Sequence, residues 1–118
     1  MVEIPSHPNP GANTIVVTLP VEIDLANANR VGADLEAAFG PSVGVVVADL
    51  SGTRSCDTAG IQALLMAHKR AQANHLGFRM VAGPGKVRSL LATLGLDTVL
   101  AIYPRLDIAL VADDGKPA

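Results

Sequence analysis

The chain has 118 residues, enough for one domain with a buried core, and 49% of them are hydrophobic against 17% charged, which excludes a disordered chain. A net charge of −2 and an aromatic content of 3% exclude a basic nucleic-acid footprint and a base-stacking platform. The single cysteine, Cys56, excludes an internal disulfide and a multi-cysteine zinc site.

The pattern predicts a short edge strand over Val2–Ile4, followed by a turn-forming run at 5–13 (PSHPNPGAN). The β-branched run Thr14–Leu19 predicts a strand, and Pro20 ends it because proline cannot donate to a sheet ladder. Asp24 is the expected cap of the first helix, with Leu25, Ala28, Val31, Leu35 and Ala38 along its inner face. Gly40-Pro41 stops that helix. Val43–Leu50 is nearly continuous in Val, Ala and Leu, as a central strand with helices on its faces is.

A loop is expected over Ser51–Cys56, then a helix from Thr58 to about Asn74–Gly77 that turns Ile61, Leu64, Leu65 and His68 inward. Phe78–Ala82 predicts the next strand and Gly83-Pro84-Gly85 a turn. Lys86–Leu94 predicts a short helix with Val87, Leu90, Leu91 and Leu94 inward, and Gly95 takes the left-handed position after it. A last strand over Thr98–Tyr103 and a helix over Leu106–Val111 close the order, and the tail ADDGKPA is expected to fray. Strands alternating with helices predict an α/β fold in one domain spanning 1–118, with its core over about 14–111 and flexible termini. No apolar run reaches the ~18–20 residues of a membrane span. The N-terminal stretch lacks the basic start and apolar centre of a secretory signal, so a reducing cytoplasm is the expected compartment.

Chemistry concentrates in Asp49-Leu-Ser-Gly-Thr-Arg-Ser-Cys-Asp57-Thr58-Ala59-Gly60, where a buried strand hands over to a helix. Asp57 takes the N-cap position, with the amides of Ala59 and Gly60 as its expected donors. Thr58 then opens the helix with its hydroxyl at the surface. Gly60 in the first turn permits another backbone to approach closely. A phosphate on Thr58 would add about −1.5 to −2 charges at a helix end that tolerates anions. A plain capped helix has the same pattern.

Other candidates are weaker. Cys56 lies near a helix N-terminus, but the adjacent Asp57 raises its thiol pKa, and a small packed residue is the better reading. His7 falls in an expectedly mobile segment, His68 and His75 are seven residues apart, and the three histidines do not form a metal set. Gly83-Pro84-Gly85-Lys86 lacks the full phosphate-loop spacing. Arg79, Lys86, Arg88 and Arg105 are too scattered for more than a solvated face. A response-regulator receiver domain would need paired acids after an early strand and a lysine on the final strand, and both are missing.

Val45-Val-Val-Ala-Asp-Leu-Ser-Gly followed by Cys-Asp57-Thr58-Ala-Gly60-Ile-Gln-Ala-Leu-Leu resembles the signature of STAS domains, in particular bacterial anti-anti-sigma factors. The resemblance continues through Glu22-Ile-Asp-Leu-Ala, Phe78-Arg-Met-Val-Ala-Gly-Pro, Val87-Arg-Ser-Leu-Leu-Ala-Thr-Leu-Gly95-Leu and Ile102-Tyr-Pro-Arg-Leu-Asp-Ile-Ala-Leu, covering about residues 14–110. It implies a central mixed sheet of about four to five strands with about four helices largely on one face.

It also implies a non-enzymatic protein that binds an anti-sigma factor with serine/threonine kinase activity and so frees a sigma factor. Thr58 would be the phosphoacceptor beside the motif acid Asp57, and a phosphatase acting on phospho-Thr58 would reset it. The ATP would belong to the partner, so no cofactor is implied for this chain, and neither nucleic acid nor a membrane span is expected. The expected contact surface is Asp24, Ser51, Arg54, Ser55 and Gln62. The family also implies an alternative, a STAS scaffold in a stressosome-like or lipid-transport complex. An enzyme using Cys56 or Asp57 has no base, metal set or nucleotide loop behind it.

Overall fold

The computed structural model describes residues 2–5 and 13–112. Its strands are β1 (Val2–Pro5), β2 (Asn13–Thr18), β3 (Glu22–Ile23), β4 (Val43–Asp49), β5 (Ser55–Cys56), β6 (Gly77–Val81) and β7 (Ala101–Tyr103). Its helices are α1 (Ala28–Ala37), α2 (Thr58–Ala73), α3 (Lys86–Thr93) and α4 (Leu106–Val111). Most of the turn expected at 5–13, His7 and most of the tail ADDGKPA lie outside the described residues.

Five strands form the main sheet in the order β1-β2-β4-β6-β7. β1 runs antiparallel at one edge, and the other neighbours are parallel. Each parallel step is bridged by a helix, as parallel pairing requires. The Val-rich β4 occupies the centre of the sheet, where both faces are covered, and this is why it carries apolar residues on both.

The two faces carry different helices. Ile15, Val17, Val46, Ala48, Phe78 and Met80 face Val31, Leu35, Ile61, Leu64 and Leu91 of α1, α2 and α3. Val16, Val45, Val47 and Val81 face Ala109 of α4. The helices therefore lie largely on one face, as the resemblance implied. Arg79 is buried on the α4 side and donates to the Ala109 carbonyl at 2.6 Å. It is thus a tie between β6 and α4 and no part of a solvated basic face.

Five expectations need correction. The first helix starts at Ala28, not beside Asp24. Asp24 instead folds a turn: its Oδ1 accepts from the Ala26 amide, and its own amide donates to Asn27 Oδ1. Such side-chain bonds offer the backbone an alternative to the helix. Leu25, displaced from the helix, is 81% exposed rather than inward.

At the other end of the fold Leu94, expected inward, follows the last turn of α3 and is also exposed. The loop expected over Ser51–Cys56 contains β5, and Leu96–Thr98 is a short 3-10 turn, so the last strand begins only at Ala101. Gly95 does take the left-handed conformation, with φ 74°.

Candidate functional site

The carboxyl ends of β2 and β4 lie side by side, so the chain segments leaving them run together. Their meeting is fixed by backbone bonds. Glu22 pairs with Ser55 and Ile23 with Cys56 in a second, two-stranded parallel sheet. The Arg54 amide donates to the Val21 carbonyl at 2.7 Å, and the Asp57 amide to the Ile23 carbonyl at 3.0 Å. The buried Thr53 adds a hydroxyl bond to the Pro20 carbonyl at 2.8 Å. Asn27 donates its side-chain amide to the Glu22 carbonyl at 2.8 Å.

Asp57 caps α2 with extended backbone, and its Oδ1 accepts from the Gly60 amide at 3.1 Å. Its Oδ2 accepts from the amide of Leu25 at 3.1 Å, where Ala59 was the expected second donor. One carboxylate thus closes a helix end and ties the turn at 24–27 to it. Gly60 is buried in the first turn, and a Cβ there would lie 2.6 Å from both Cys56 Sγ and Ile23 Cγ2. The close neighbours at this glycine are two side chains of the small sheet, where another backbone was expected.

Thr58 is exposed at the first position of α2. Its hydroxyl is open to solvent while Asp57 serves the helix end. Asp24, Ser51, Arg54, Ser55 and Gln62 are all exposed. Three of them fall in two separate hollows, and Asp24 and Ser55 line neither. Gln62 lines a groove of about 280 Å³ with Leu25, Ala28, Ala59, Ala63 and Met66. Ser51 and Arg54 border a separate hollow of about 230 Å³ against Gly83 to Val87. Leu25 and Met66, 81% and 50% exposed, were missed as surface residues. Leu25 has the same spacing as the buried face of α1, so only the late start of that helix reveals it.

Cys56 is half-buried, and burial, with Asp57 beside it, pushes its thiol up to about 11. It stays a thiol at neutral pH and offers no nucleophile. His68 lies against Phe78 with ring centres 6.2 Å apart, and burial lowers its pKa. Among the described residues no group of three His, Cys, Asp or Glu side chains is placed to hold a metal ion, and no helix is long and apolar enough to cross a membrane.

The family model described as "Mlab, STAS domain" matches residues 8–104. The chain belongs to the STAS domain family. No curated protein matches it in sequence. Among solved structures, an anti-sigma factor antagonist from Mycobacterium paratuberculosis is 27% identical, with a TM-score of 0.74 over 92% of this chain and 90% of that one. A Thermotoga maritima protein assigned as an anti-sigma factor antagonist is 22% identical, with a TM-score of 0.68 over 80% of this STAS domain and 83% of that chain. A sulfate transporter family protein from Wolinella succinogenes is 14% identical, with a TM-score of 0.72 over 82% and 81%. The last two likenesses speak for the STAS fold alone.

Proposed function

We propose that this STAS domain is an anti-sigma factor antagonist, a non-enzymatic cytoplasmic protein. It binds an anti-sigma factor that is also a serine/threonine kinase, and phosphorylation of Thr58 releases it. The observation that carries the reading is the setting of Thr58: exposed, first in α2, and next to a cap that is already satisfied. The likeness to the Mycobacterium paratuberculosis antagonist supports it.

A phosphate there meets the positive end of the helix and leaves the fold intact. In a docked interface it would be a desolvated, unpaired charge. Such a charge costs several kcal/mol, and ~1.4 kcal/mol is tenfold in affinity, so one phosphate shifts binding about a hundredfold or more. Asp24, Ser51, Arg54, Ser55 and Gln62 form the surrounding contact surface, and a phosphatase that removes the group restores binding.

The test compares wild type with Thr58→Glu and Thr58→Ala as bait for an ATP-binding partner, with mass spectrometry of Thr58 after incubation of wild type with that partner and ATP. Wild type should capture the partner and gain one phosphate, and Thr58→Glu should lose it. Equal capture by all three baits would overturn the switch.

A second reading is favoured by the matching family model, which bears the Mlab description and not that of an antagonist. In it the domain is an interaction subunit of a stressosome-like or lipid-transport complex, and its binding ignores Thr58.

A further inference from the structure

The groove between the first halves of α1 and α2 is short and mostly apolar, with Asn29 and Gln62 as its polar lining. Ala59, Ala63 and Met66 line its α2 wall, and Leu25 stands on the other side. The stretch Ala59–Met66 is about 10 Å long, or two helical turns. The helices draw together within this stretch, where a Cβ on Gly32 would lie 3.9 Å from that of Ala63, and farther along Arg70 bridges to Glu36 at 2.9 Å. The other end opens beside Thr58. Leu25 does not hang loosely there, because its amide is held by Asp57.

Charge marks the open end. The segments 20–30 and 51–63 carry three carboxylates, Glu22, Asp24 and Asp57, against two guanidiniums, Arg30 and Arg54, and all five residues are exposed. We propose that this groove seats an amphipathic helix of the partner, with two apolar side chains one turn apart against Leu25 and Met66 and a lysine or arginine over Glu22, Asp24 and Asp57. The proposal rests on the reading of this face as the partner surface. Small residues such as Ala59 and Ala63 let a third backbone come close, as a ridge packs into a groove. The basic residue belongs at the C-terminal end of the docked helix, where the helix dipole also favours it.

The same charges disfavour the other occupants. An anionic lipid surface attracts basic rims, and this rim is acidic. A second copy would bring the same net-acidic rim to the contact, like charge against like.

The test titrates isotope-labelled full-length protein with an alanine-rich helical peptide of about four turns, carrying two leucines four positions apart and C-terminal lysines. A control peptide has glutamates in place of the lysines. Backbone and methyl shifts at Leu25, Ala59, Ala63 and Met66 should move saturably. Binding should be about tenfold weaker for the glutamate peptide and for Leu25→Ala, whose exposed side chain the fold does not need. Shifts centred elsewhere, no saturable binding, or equal binding of both peptides would overturn the proposal. So would groove shifts that grow with protein concentration alone, the mark of a second copy, or that appear only with vesicles of phosphatidylglycerol. No kinase is present in this assay, so its failure leaves the Thr58 switch standing, and loss of the switch leaves the groove standing.

Discussion

Gly60→Ala is the sharpest probe of how the site is built. On an open helix surface this change adds about 1 kcal/mol of stability, because alanine is the better helix former. Here the new methyl would lie 2.6 Å from Cys56 Sγ and 2.6 Å from Ile23 Cγ2. Carbon atoms rest at about 3.5–4.0 Å, so the shortfall is close to 1 Å at each contact. The Cys56 thiol can turn aside. Ile23 cannot, because it is 1% exposed, stiff at its branched β-carbon and paired through its backbone to β5.

Overpacking of this kind costs typically about 1–3 kcal/mol, and two contacts push toward the upper end. The net is a loss of about 1–2 kcal/mol. With a urea dependence of about 1.5 kcal/mol per molar, the unfolding midpoint falls by roughly 1 M. Adding Cys56→Ala removes one of the two obstacles and should recover part of the loss as a positive coupling in a double-mutant cycle. A midpoint that stays or rises in Gly60→Ala, or a cycle with no coupling, would refute this account of the glycine.

Further expectations concern the same neighbourhood and the helix behind it. Asp57→Ala removes the acceptor of both the Gly60 and Leu25 amides and should lower stability by about 1–3 kcal/mol, with faster hydrogen exchange at Leu25; an unchanged melting temperature would contradict the double role. Burial lowers the pKa of His68 from 6.5, so the folded state binds protons less readily than the unfolded one. Stability should therefore fall as pH drops through 6.5 and keep falling until the folded-state value is passed, and His68→Gln should flatten that slope; identical slopes would tell against it. The Cys56 thiol, pushed up to about 11, should react with iodoacetamide at pH 8 about tenfold more slowly than an unperturbed thiol, its scarcer thiolate being partly offset by greater nucleophilicity. Alkylation at the ordinary rate would mean that the small sheet opens readily.

The main sheet was legible because each strand is either β-branched or nearly all apolar, and each helix has a periodic face. Thr58, Asp57 and Gly60 were legible as a helix start because capping is a local event. What was not legible is what joins distant segments. β3 and β5 are two residues each and owe their existence to one another across a gap of thirty residues, beyond the reach of any periodicity. The bond from Leu25 to Asp57 spans the same gap. Leu25 and Leu94 were misplaced for one reason: a leucine at helical spacing faces inward only while the helix lasts, and both lie outside its ends.

The small sheet has a consequence for time as well as shape. A surface that must fold before it binds spends part of its encounters unproductively and pays an ordering entropy. Here the two segments are already zipped together by backbone bonds. A visiting protein meets a finished surface, and its arrival is limited by orientation alone, with typical rates of about 10⁵–10⁷ M⁻¹s⁻¹. Under the proposed switch, control over how long a partner stays would then fall to departure, and a single added charge at the rim would act on that clock without moving the chain.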